Sequence, residues 1–83
     1  MKNSRRVFLA EDDQVTALII QDILESNDYL VVACHDGNEA AEHLRQQGDR
    51  YDVILLDRDL PGMDGIQLLR QIKSDPAMAL TPV

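Results

Sequence analysis

The segment Val53-Ile54-Leu55-Leu56-Asp57-Arg58-Asp59-Leu60-Pro61-Gly62-Met63-Asp64-Gly65 sets the architecture of this chain. Its first four residues are apolar without alternation, the pattern of a strand buried on both faces of a parallel sheet. The run stops abruptly at an acid, Asp57, and Leu60-Pro61-Gly62 signals a turn. Asp64, followed three residues later by Gln67, has the form of a capping box, in which two side chains satisfy orphan N–H groups at a helix start. That helix is expected to run to about Ser74, where Asp75-Pro76 ends it.

The same grammar holds upstream. Val7-Phe8-Leu9-Ala10 is a second apolar run that stops at acids, Glu11-Asp12-Asp13. Gln14 to Ser26 contains no Gly or Pro and carries Ala17, Ile20, Ile23 and Leu24 at helical spacing, which predicts a helix whose core stripe is Ala17, Ile20 and Leu24. Tyr29-Leu30-Val31-Val32-Ala33 is rich in β-branched and aromatic residues and reads as a strand. Asp36-Gly37-Asn38-Glu39 repeats the box and opens a helix through Gln47, with Gly48 expected as a left-handed stop. Pro82-Val83 resembles the beginning of a fourth strand. Strand and helix thus alternate three times, which predicts an α/β domain built on a parallel sheet with right-handed crossovers. No repeat, linker or low-complexity segment divides residues 1–83, so one domain is expected.

Composition narrows the function. With 83 residues at 9.3 kDa the chain has no room for a multidomain enzyme, and a chain of this size buries only roughly 63% of its unfolded surface. A net charge of −7, with no basic cluster beyond Arg5-Arg6, repels phosphodiester backbones and argues against direct nucleic-acid binding. The longest apolar run is far too short to cross a bilayer, and Met1-Lys2-Asn3-Ser4-Arg5-Arg6 leads into no export signal. The single cysteine, Cys34, cannot form an internal disulfide and reads as a small filler at a strand end, so a cytoplasmic setting is expected. His35 and His43 read as exposed.

In a parallel α/β sheet, ligands bind beyond the carboxyl ends of the strands, where this chain places Asp12, Asp13 and Asp57. Two carboxylates about 4 Å apart repel by roughly 4 kcal/mol at an effective dielectric of 20, so such a cluster needs protons or a cation. All-oxygen ligands with few protein carboxylates suit Mg²⁺, which retains waters and accepts phosphate oxygens. A carboxylate beside Mg²⁺ points to phosphoryl chemistry.

Glu11-Asp12-Asp13 after the first strand and Asp57 to Gly65 after the third resemble the receiver domain of two-component response regulators. The resemblance runs from about Arg5 to Val83 and implies a flavodoxin-like parallel sheet, truncated to about three βα units with strand order 2-1-3. It implies that Asp57 is the phosphoacceptor, that Asp12 and Asp13 hold Mg²⁺ with Asp57, and that the backbone carbonyl of Arg58 is a further metal ligand. Pro61 and Gly65 match the family's turn and helix start. The implied donor is a histidine kinase or histidine phosphotransfer protein. The implied role is that of a phosphoacceptor rather than an enzyme.

The family's Ser or Thr after strand four and Lys after strand five find no match here. Lys2 and Lys73, the only lysines, stand elsewhere. A single preorganised donor of that kind is typically worth about 10² to 10³ in rate, so a phosphorylation-incompetent interaction module is the alternative expectation. An open third-strand edge would favour self-association of such a module. Val15, Leu18 and Ile19 add apolar surface to the first helix outside its core stripe and are the expected kinase-docking residues. A haloacid-dehalogenase-type phosphatase reading of Asp57-Arg58-Asp59 fails because Leu60-Pro61 follows, and a calcium EF-hand reading fails because Pro61 and Leu68 occupy ligand positions.

Overall fold

The computed structural model describes residues 5–83, so Lys2 lies outside the described residues. Strand and helix alternate as β1 (Arg6–Ala10), α1 (Gln14–Ser26), β2 (Leu30–Cys34), α2 (Gly37–Gln47), a 3-10 turn (Gly48–Arg50), β3 (Val53–Leu56) and α3 (Gly65–Ser74). The sheet is parallel throughout, in the order β2-β1-β3. This is the flavodoxin-like arrangement expected. Phe8 stands opposite Val32 and Ile54, and Ala10 opposite Cys34 and Leu56, so β1 is the central strand. Its four apolar residues are at most 3% exposed, which is why the run shows no alternation.

From β1 the chain crosses to β2 and then returns past β1 to β3. Right-handed crossovers in opposite directions set α1 on one face of the sheet and α2 with α3 on the other. The α2/α3 face holds the main core: Phe8, Ala10 and Ile54 from the sheet pack with Ala40, Leu44, Leu68, Ile72 and Met78, and Cys34 borders it. On the opposite side the only fully buried residue of α1 is Ala17.

Four expectations are corrected. Gly48 is not left-handed: its φ of −62° continues the chain into the 3-10 turn, and its missing side chain leaves room for the Met78 sulfur. His35 is not exposed: it is half-buried, its Nδ1 lying 2.9 Å from the Glu11 carbonyl. His43 is not exposed; its ring stacks on Phe8 at 5.2 Å between centroids and its Nε2 lies 2.6 Å from the Tyr51 hydroxyl. Pro82-Val83 adds no strand, although the Ile54 N–H donates to the Pro82 carbonyl at 2.9 Å and begins to line β3's outer edge. Lys73 ties that segment down by donating to the carbonyls of Ala79 and Thr81. Among the described residues no helix is long and apolar enough to cross a membrane.

Candidate metal centre at the strand ends

The register that pairs Ala10 with Leu56 continues one step further, with the Asp57 N–H donating to the Ala10 carbonyl at 2.8 Å. Residues leaving β1 and β3 therefore emerge side by side at the carboxyl end of the sheet. One carboxylate oxygen from each of Glu11, Asp12 and Asp57 lies within 4.8 Å of the others, with Asp12 exposed and the other two half-buried.

Asp13, expected in this cluster, is engaged elsewhere. It is the N-cap of α1: one carboxylate oxygen accepts the Val15 N–H at 3.1 Å and the other accepts the Thr16 hydroxyl at 2.7 Å. These bonds hold its carboxyl below the usual carboxylate range, the Thr16 hydroxyl contributing most. The cluster is thus Glu11, Asp12 and Asp57, one residue earlier than the sequence reading placed it. The carbonyl of Arg58, expected as a metal ligand, accepts the Gly65 N–H at 3.0 Å and ties the loop to the start of α3.

Electrostatics supports a cation in this cluster. Partial burial, then a hydrogen bond and charge repulsion from Asp57, push the Glu11 carboxyl above its ordinary value of 4.5, although an N–H from Asp13 works against the shift. The Asp59 N–H, and then the bond with Glu11, hold Asp57 below its ordinary 3.8. The opposite shifts of Glu11 and Asp57 are those of close acids whose charges no cation balances. A hard divalent cation would offset that repulsion, and the donor set, all carboxylate oxygen, fits Mg²⁺.

The loop after β3 is shaped by Gly62, whose φ of +81° is open to glycine at little cost. Asp64 then caps α3 with the full reciprocal box to Gln67, whereas Asp36 caps α2 by accepting from the Asn38 and Glu39 N–H groups. The turn between β2 and α2 touches both acid-bearing loops. Cys34 accepts the Glu11 N–H at 3.0 Å, His35 Nδ1 lies 2.9 Å from the Glu11 carbonyl, and Gly37 donates to the Pro61 carbonyl at 2.8 Å. Val15, Leu18 and Ile19 stand on the open side of α1, the first two about two-thirds exposed.

The family model described as the response regulator receiver domain matches residues 7–83. The chain belongs to that family. Among its relatives, the response regulator Rcp1 of Synechocystis is 33% identical over 84 residues, covering 93% of this receiver but 57% of the relative. A phosphorylated cyanobacterial phytochrome response regulator, RcpA, superposes with a TM-score of 0.88 at 40% identity, over 98% of this receiver and 63% of that chain. The receiver domain of a sensor histidine kinase from Pseudomonas aeruginosa, with magnesium coordinated in its active-site cleft, superposes with a TM-score of 0.88 at 32% identity, over 96% of this receiver and 64% of that chain. This receiver therefore spans less than two-thirds of the length of these relatives. Its family places it in two-component signalling.

Proposed function

We propose that this receiver takes a phosphoryl group on Asp57 from a histidine kinase or histidine phosphotransfer protein. The observation that carries the reading is the convergence of Glu11, Asp12 and Asp57 within 4.8 Å at the ends of two neighbouring strands. Glu11, Asp12 and Asp57 would hold Mg²⁺, which supplies charge neutralisation between donor and acceptor oxygens. Asp57 is suited to attack because it stands at the end of β3, beside the carboxylates of Glu11 and Asp12. The new bond joins that oxygen to phosphorus, the donor's phosphorus–nitrogen bond breaks, and the product is an aspartyl phosphate. In this role the chain is a substrate of its kinase, acting in the cytoplasm, rather than an enzyme.

The test is labelling by acetyl phosphate, read as a shift on phosphate-affinity gels. Wild type with Mg²⁺ is expected to shift, while Asp57→Asn and chelation with EDTA abolish the shift. A wild-type chain that stays unlabelled with Mg²⁺ present overturns the phosphoacceptor role. The second reading, a module that self-associates without being phosphorylated, is favoured by one feature. An open groove of about 440 Å³ beside β3 is lined by the apolar Leu55, Leu56, Ile66, Leu69 and Val83 together with Asp57, Arg58 and Gly65.

A further inference from the structure

The β2–α2 turn carries a group that none of the site chemistry above uses. The ladder between β1 and β2 ends when the Glu11 N–H reaches the Cys34 carbonyl. Beyond that point the Glu11 carbonyl has left the strand, and the half-buried ring of His35 meets it at 2.9 Å, across 24 positions of sequence. A carbonyl oxygen only accepts, so Nδ1 carries the proton and donates. Two successive residues, Cys34 and His35, thereby grip both polar groups of one residue, Glu11. The Glu11 carbonyl and the Asp12 N–H belong to the same rigid peptide plane, so holding one fixes the orientation of the other. From the two ends of that plane leave the side chains of Glu11 and Asp12, two of the three members of the acid cluster.

We propose that His35 is a positioning residue for the metal centre, its ring N–H locking the Glu11–Asp12 peptide plane so that both carboxylates face Asp57. The inference rests on the magnesium reading given above. Partners that orient metal-binding groups from outside the coordination sphere are typically worth about 10-fold to 100-fold in metal affinity. A ring that merely pinned the loop would change stability and leave the affinity of the folded chain alone.

The experiment is a titration of the 83-residue chain with MgCl₂, followed through the backbone amide resonances of residues 11–13 and 57–59. Each variant is also melted without Mg²⁺ to measure stability separately. His35→Ala removes the ring, His35→Phe keeps its bulk without a donor, and His35→Asn presents an N–H near the place of Nδ1. Affinity is expected to fall about 10-fold or more in His35→Phe and His35→Ala and to return largely in His35→Asn. If His35→Ala proves too unstable to titrate, the contrast between His35→Phe and His35→Asn decides. Wild-type affinity in His35→Phe, or equal weakness in His35→Phe and His35→Asn, overturns the proposal. A wild-type chain that takes up no Mg²⁺ removes the magnesium reading itself, and the role of His35 falls with it.

Discussion

The two faces of the sheet are closed to different degrees. On the α2/α3 side, Phe8, Ile54, Leu68 and Ile72 are each at most 1% exposed, and two helices share one continuous apolar cluster with the sheet. On the α1 side Val7, Leu9 and Ala17 are buried, while Val15, Leu18, Ile19 and Ile23 stay more than half exposed. Both helix layers are apolar in sequence. Only one of them spends its apolar residues on the core. Three of these four side chains, Val15, Leu18 and Ile19, are the expected docking residues, and α1 begins at Gln14, just after its Asp13 cap and the acid-bearing residues Glu11 and Asp12.

Substitutions can break or sharpen this contrast. The largest effect is expected on the sealed face: Phe8→Ala should cost about 3–5 kcal/mol, as for a fully buried aromatic that leaves a cavity. A domain of this size has only about 5–15 kcal/mol in all, so urea titration should show much of the cooperative transition lost. Next comes the cap of α3. Asp64→Ala removes the carboxylate that accepts the Gln67 N–H, leaving only the bond from the residue-64 backbone N–H to the Gln67 side chain, and should lower stability by about 1 kcal/mol, read from the same titration. On the open face, Leu18→Asp should change stability by no more than about 0.5 kcal/mol. It should nevertheless slow phosphotransfer from the cognate kinase, and unchanged transfer kinetics would detach α1 from docking.

The smallest effect concerns pH. Asp13 titrates below its ordinary 3.8 in the fold, so its cap on α1 contributes fully above 3.8 and is lost as the pH falls through the lower folded value. Glu11 has the opposite sign: its folded value is raised, so its contribution is complete below 4.5 and is lost as the pH rises through that raised value. Both groups face solvent and are screened, so the slopes are shallow. Thermal melts of Asp13→Asn, which keeps the cap and loses the charge, should flatten the acid limb relative to wild type. Glu11→Gln should flatten the limb just above pH 4.5.

Much of this was legible in advance because it is local. The helix from Gln14 to Ser26, the strand from Val53 to Leu56 and the Asp64–Gln67 box appear where the residues placed them, since periodicity and capping depend on neighbours in the chain. The misplacement of Asp13 was avoidable by the same logic. A helix that begins at Gln14 makes the residue before it the N-cap, and an aspartate there turns its carboxylate toward the backbone. Applied to Asp13 as it was to Asp36 and Asp64, that rule leaves Glu11 and Asp12 for the cluster. No comparable signal marked His35 or His43, whose partners Glu11 and Phe8 are distant in sequence.

Alone, the amino-acid order determined that short buried strands alternate with capped helices and that acids follow two of those strands. These are consequences of hydrophobic period and of hydrogen bonding over a few residues. Which acids converge, which histidine grips which carbonyl and which side of α1 stays bare were decided by tertiary structure. Parallel pairing brings together strand ends separated by more than a whole βαβ unit, and the packing angle of a helix on a sheet selects which of its apolar residues reach the core.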